Sequence, residues 1–360
     1  MFTSLSIENF RGFKNLKIDS LAQINLIAGA NSVGKTALLE AIFLLLGESN
    51  AALVPRVSAF RGLNVFQGTA ENMGEWFWRP LFHQLDTRSA IRLRAKNSHT
   101  FERALEIVVV GQSSAQVLFG ERAQVAGEKS SGGTLGAALQ FEYSEGSAEP
   151  RKSKLSVNIV NGRPTLQIEP PPLQPSLPGH LLGARNTSLE EDAQLLGELI
   201  IQKEPYDLLK ALQIVEPRLT RINPIPSPGG TIIYGDIGLG EMMPLTLLGD
   251  GLTRLASIVL RVVAAQNGVV LIDEIENGLH HSALVKVWSA IAEASRISGA
   301  QVFATTHNWE CIKAAHEAFS ERDSYNLNLY RLERANGEVK VAAYNQETLA
   351  TSVKMDLEVR

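Results

Sequence analysis

The chain has 360 residues, 44% of them hydrophobic, and carries 34 basic against 38 acidic side chains for a net charge of −4. That length allows two domains and a large core, and that charge supplies no global electrostatic reason to bind nucleic acid, although it leaves room for a local basic patch. The single cysteine, Cys311, rules out an intrachain disulfide, and no apolar run approaches the roughly 20 residues of a membrane-spanning helix. Met1 leads straight into polar, strand-like sequence rather than a charged-then-apolar leader, so a cytoplasmic protein with no membrane partner is expected.

In chain order, residues 4–10 (SLSIENF) alternate apolar and polar like an edge or hairpin strand. An apolar strand at 24–28 then runs into GANSVGKT, formed by Gly29, Ala30, Asn31, Ser32, Val33, Gly34, Lys35 and Thr36, and a helical run follows at 37–46. This is a full match to the phosphate-binding pattern GxxxxGK[ST] in the strand–loop–helix setting it requires. Glycines let backbone N–H groups curl around phosphate oxygens at a helix N-terminus. Lys35 is expected at the β- and γ-phosphates and the Thr36 hydroxyl on Mg²⁺, so the chain is expected to bind a nucleoside triphosphate.

Residues 111–180 differ in texture, with a glycine-rich polar stretch at 127–133, a polar run at 145–154 and a proline cluster at 170–178. Strand-like pieces at 138–143 and 155–160 lie between them, which predicts an inserted antiparallel β region with mobile loops. One or two helices are expected over 189–212, capped from 186–188 with Glu191 three residues beyond Ser188. From about 230 to 345 the chain returns to α/β alternation.

Three features of that last stretch carry chemistry. LGDGLTR opens a helix at 252–264, and Gly249, Asp250 and Gly251 at its start make a second anion-binding cup. GVVLIDE is a buried strand ending in Asp273 and Glu274; at the carboxyl edge of a parallel sheet, Asp273 would hold Mg²⁺ through a water and Glu274 would act as general base. One helix later, predicted at 282–295, QVFATTH ends in His307, which an adjacent parallel strand would bring to the same edge within reach of a γ-phosphate. The triplet-like SSGG at 130–133 sits in a polar loop with no helix after it and is set aside.

This order of motifs resembles ABC-type ATPases, and within them the branch of RecF, the SMC proteins and the OLD (overcoming lysogenization defect) family. The opening LSIENFRGF, then GANSVGKTALLEAIF, LGDGLTRL in place of LSGGQ, LIDEIENGLHH and QVFATTHNWECI carry the resemblance, over roughly 1–50 and 185–360. It implies an α/β fold, an ABC-type P-loop head with a mixed sheet, an antiparallel β subdomain and an inserted β/helical arm. It implies an N-terminal lobe at 1–110 with Walker A, an arm at 111–228, and a C-terminal lobe at 229–360 with signature, Walker B and histidine switch. It further implies a homodimer sandwiching ATP and Mg²⁺, with Gly249, Asp250 and Gly251 acting in trans and 277–280 linking the two sites. Arg11 would touch the nucleotide. The glutamine that joins Mg²⁺ to the arm would be Gln84, with Gln67 second.

Many OLD proteins carry a C-terminal Toprim nuclease with an acidic DxD motif. Residues 308–360 read as helix, strand, Asn336-Gly337 turn, strand and helix, with no DxD. The reading is therefore an ATPase switch for a separately encoded effector such as a Toprim-type nuclease, in anti-phage defence or genome maintenance. A RecF-like clamp on DNA is the alternative, for which Arg88, Arg92, Arg94 and Lys96 would form part of a basic groove, against the simpler view of them as a solvated strand face. A transport ATPase is disfavoured by the NFRGF opening, the absent LSGGQ and the long insertion. His280 and His281 are read as structural rather than metal-binding, Trp76, Phe77, Trp78 and Phe82 as packing, and Cys311 as a core residue.

Overall fold

The computed structural model describes residues 1–61, 78–98, 101–111, 137–160, 163–184, 188–202, 205–357 and 359. The chain opens with the hairpin β1 (Phe2–Phe10) and β2 (Phe13–Asp19), then β3 (Ile24–Gly29), helix α1 (Lys35–Leu46) and short helix α2 (Leu53–Phe60). Strands β4 (Ile91–Asn97), β5 (Glu102–Val110), β6 (Ala138–Glu145), β7 (Arg151–Val160) and β8 (Arg163–Glu169) follow, then β9 (Gly179–Leu182). Helices α3 (Leu189–Ile201) and α4 (Pro205–Gln213) lead into β10 (Arg221–Ser227), β11 (Gly230–Asp236) and β12 (Met243–Pro244). The last stretch alternates as α5 (Asp250–Ala264), β13 (Val269–Ile272), α6 (Leu284–Ser298), β14 (Gln301–Thr305) and α7 (Trp309–Ser320), and ends in β15 (Leu327–Ala335), β16 (Glu338–Tyr344) and α8 (Gln346–Lys354).

A six-stranded sheet in the order β16-β15-β3-β14-β13-β9 forms the middle layer, parallel throughout except for the edge strand β16. Its central strands β3, β14 and β13 are buried along their whole length because both faces are covered. Ile24, Leu26, Val270, Ile272, Val302 and Ala304 face one core, shared with α3 to α7. Ile27, Val269, Leu271 and Phe303 face the other, shared with α1 and the antiparallel sheet. That second sheet is seven-stranded, in the order β2-β1-β4-β5-β6-β7-β8. Helix α1 is packed between the two sheets, which explains why ALLEAIFLLL is apolar on every side and nearly all of it is buried.

Of the two alternatives β1 is the hairpin strand and not an edge: it pairs with β2 on one side and β4 on the other. Its alternation records one face on the core and one in solvent, which an interior antiparallel strand shows equally well. The described residues of 111–228, the stretch expected as an inserted arm, are divided among layers. β6 to β8 continue the antiparallel sheet from β5, while β9 lies beside β13 as the edge of the middle sheet. Between 189 and 212 there are two helices, and Ser188 caps the first by accepting from the Glu191 N–H at 3.2 Å. The helix expected at 282–295 runs Leu284–Ser298 after one 3-10 turn, and α5 starts at Asp250 rather than 252. The stretch 112–136 with its SSGG, and Gln67, Trp76 and Phe77, lie outside the described residues.

Trp78 and Phe82 are core residues, 3% and 1% exposed. Arg92 and Arg94 stand on the solvent face of β4 and pair with Glu8, Glu106 and Glu102 on the neighbouring strands. Their charge is thus matched within the sheet. Cys311 is fully buried in α7 and burial pushes its thiol up to about 12. It should resist a thiol-specific disulfide reagent in the native protein and react once the chain is denatured; fast native labelling would show that α7 opens readily.

Candidate nucleotide site

β3 ends at Gly29 and α1 begins at Lys35, so the loop between them turns at the carboxyl edge of the middle sheet. The turn needs backbone that only glycine accepts easily at two points. Gly29 has φ 147°, and a Cβ there would stand 2.5 Å from the Leu332 carbonyl oxygen. Gly34 has φ 118°, and a Cβ there would stand 2.8 Å from the Phe13 ring. Lys35, 8% exposed, donates from Nζ to the carbonyls of Gly29 at 2.7 Å and Ala30 at 3.1 Å. Burial lowers its pKa, opposed by the carboxylates of Asp273, Glu274 and Glu276.

The register β3-β14-β13 carries Asp273 to the same edge. The Thr36 hydroxyl lies 3.0 and 3.2 Å from the two Asp273 carboxylate oxygens although 237 positions separate them in the chain. A hydroxyl beside a carboxylate is a hard-oxygen donor set of the kind Mg²⁺ takes. Glu274 follows with φ 46°, a backbone conformation that costs free energy in a non-glycine residue and collects at functional sites. Arg11, Ser32 and Gln84 share that left-handed conformation, with φ 49°, 63° and 50°. All four line one cleft of about 530 Å³ together with Asn31, Lys35, Thr36, Asp273 and Arg61.

The cleft therefore gathers the phosphate loop, the two acids, Arg11 and Gln84. Gly249, Asp250, Gly251 and His307 are not among the described residues that line it. Gly249 and Asp250 are exposed at the start of α5, with open space where a Cβ on Gly249 would stand. His307 follows β14, which does lie parallel and adjacent to β13 as expected. Its Nδ1 lies 3.2 Å from Glu276 Oε1, the same atom that accepts from its backbone N–H at 3.1 Å. His280 Nδ1 lies 2.8 Å from the Ser282 hydroxyl at a helix start, and no cluster of three or more His, Cys, Asp or Glu residues suited to a metal occurs among the described residues.

Several residues of this site were not singled out from sequence. Glu40, 1% exposed on α1, accepts from Arg61 Nε at 2.7 Å and Nη2 at 2.9 Å. Arg11 Nε stands 2.6 Å from Glu40 Oε2. Burial lowers the Arg11 guanidinium to about 10, with Glu40 opposing the shift and Arg61 adding to it. A lone carboxylate in an otherwise apolar helix is itself a signal, because a buried charge must be paired; which arginines pair with it is not local information. Arg254, buried on α5, donates to the carbonyls of Gly183 at 3.1 Å and Asp273 at 3.2 Å, tying the glycine-rich helix to the acid-bearing turn.

These layers are those of an SMC head domain, and two stretches of the chain match AAA domain models. A solved Smc head bound to the C-winged helix domain of ScpA shares the fold at TM-score 0.50 and 12% identity, over 97% of this chain and 99% of that one. Residues 4–106 match a model described as "AAA domain" and residues 142–310 match one described as "AAA domain, putative AbiEii toxin, Type IV TA system". An ATP/GTP phosphatase of Helicobacter pylori is 24% identical over 97% of both chains. The DNA replication and repair protein RecF of Nitrosococcus oceani is 50% identical over 48 residues, 13% of each chain. No helix among the described residues is long and apolar enough to cross a membrane.

Proposed function

We propose that the chain is an ATP-binding and ATP-hydrolysing switch. The observation that carries this is the Thr36–Asp273 contact, which joins the phosphate loop to the acid-bearing strand in one cleft. On ATP binding, Lys35 leaves the Gly29 and Ala30 carbonyls for the β- and γ-phosphates, and the loop N–H groups of 30–36 take the remaining oxygens. Thr36, Asp273 and Gln84 are the residues that would hold Mg²⁺, which would supply positive charge against the phosphates. Glu274 accepts a proton from a water whose oxygen bonds to the γ-phosphorus as the bond to the bridging oxygen of ADP breaks. His307, held by Glu276, orients that water or contacts the γ-phosphate, and Arg11 contacts the nucleotide.

Two chains sandwich two ATP molecules, with Gly249, Asp250 and Gly251 of one reaching the γ-phosphate of the other. The exposure of that helix start and its absence from the described lining of its own cleft support an action in trans. Hydrolysis then removes the contact that favours the closed dimer. The dimer controls a separately encoded effector, a Toprim-type nuclease in the OLD-like reading, in anti-phage defence or genome maintenance. The local likeness to RecF favours a second reading, direct clamping of DNA. The ion pairs that consume the charge of Arg92 and Arg94 speak against β4 as its groove.

Phosphate release from ATP by the purified protein, with light scattering on the Glu274→Gln variant with and without ATP, tests the switch. A monomer at every nucleotide condition sinks the sandwich, and an absence of ATP binding sinks the whole reading. Captured from its native cells with ATP, the same variant should retain an effector protein; duplex DNA and no protein would support the clamp.

A further inference from the structure

We propose that Thr305 is the positioning residue that aligns both acids of the site, acting through its hydroxyl. This rests on the reading of the cleft as a magnesium–ATP site. Thr305 is the last residue of β14, between the strands that carry the phosphate loop and the acids, and it is fully buried. Its Oγ1 donates to Asp273 Oδ1 at 2.6 Å and accepts from the Glu274 N–H at 2.8 Å. Its carbonyl accepts from the Ile275 N–H at 3.0 Å. Three consecutive residues of the turn are thus held by one threonine.

The two hydroxyl bonds do different work. A hydroxyl has one proton, so donation to Asp273 leaves the oxygen lone pairs for the Glu274 N–H. The bond to Asp273 fixes Oδ1 and with it the orientation of the whole carboxylate, whose two oxygens lie 3.2 and 3.0 Å from the Thr36 hydroxyl, the other member of the metal's donor set. The bond from Glu274 pins the backbone at φ 46°, a conformation the surrounding structure must over-determine if it is to persist. Valine in place of threonine keeps the shape and removes both bonds, leaving the half-buried Glu274 N–H without its partner. Serine keeps the hydroxyl and loses only a methyl group.

The test compares the full-length wild-type protein with Thr305→Val and Thr305→Ser. Amide hydrogen exchange without nucleotide reads the Glu274 N–H directly. A titration of magnesium against bound fluorescent ATP analogue reads the Asp273 donor set, and phosphate release reads turnover. Thr305→Val should lose protection at Glu274, require ~10–100-fold more magnesium at half-saturation and lower kcat by a similar factor, as removal of an outer-shell partner does. Its affinity for the analogue in chelator should be unchanged, and Thr305→Ser should stay near wild type in all readouts. A Thr305→Val protein with wild-type protection and magnesium dependence overturns the proposal. So does a Thr305→Ser protein as impaired as Thr305→Val, because the methyl group would then be what matters. If the wild type binds the analogue but releases no phosphate, the hydrolysis reading fails while exchange and magnesium dependence still decide Thr305. If it binds no nucleotide, exchange at Glu274 decides alone.

Discussion

The Glu274→Gln protein should bind ATP with nearly wild-type affinity and turn it over ~10²–10⁴-fold more slowly, the range a positioned general base contributes. That is about 3–5 kcal/mol of barrier. Glutamine preserves the length of the side chain and its left-handed backbone at φ 46° equally well or badly, but it cannot take the proton of the attacking water. The bond to the Thr305 hydroxyl is donated by the backbone N–H of Glu274 and survives the change, so the turn and Asp273 should stay in place. ATP should then persist on the protein, and the closed dimer with it. Single-turnover phosphate release in the variant, beside equilibrium nucleotide binding, separates the two effects. Turnover at the wild-type rate would mean that another group, with His307 the next candidate, takes the proton.

What sequence could reveal here follows the range over which each feature is encoded. The phosphate loop, its helix and the acid-bearing strand are each contiguous, so their chemistry can be read from neighbours. The adjacency of β13 and β14 follows from a short crossover through α6, which must be right-handed and so lays one strand beside the other. β9 had no such signal. Four residues after a proline cluster are too few for a period to emerge, and their place beside β13 is a matter of Gly179–Leu182 meeting Val269–Ile272 far along the chain. The interior position of β1 was hidden for a related reason, because alternation reports a buried face and not a missing neighbour. Within the site, the unread residues are those that act through others. Thr305 looked like one polar residue at a strand end, and Glu40 like one charge in a helix. Their roles depend on Asp273, 32 positions from Thr305, and on Arg61, 21 positions from Glu40.

Lys35→Ala should abolish measurable ATP binding while leaving the protein folded. The ammonium is spent on two loop carbonyls, Gly29 and Ala30, beside the cleft that Lys35 lines. Burial already works against its charge, so its loss costs the apo protein little. Against a triphosphate the balance reverses, because the phosphates would sit in a half-buried site beside Asp273 and Glu274 with their main positive partner gone. Truncating one member of a buried charge pair costs roughly 3–5 kcal/mol, which is on the order of 10²–10⁴-fold in affinity. Gly34→Ala should lose binding too, but for a different reason: its methyl group is driven into the Phe13 ring from a backbone at φ 118°, so thermal stability should fall with it. Nucleotide titration and thermal unfolding of both variants tell the two apart. A Lys35→Ala protein that still binds ATP tightly would move the phosphates away from this loop. One that binds nothing yet melts with the wild type would place the lysine's role in the ligand and not in the fold.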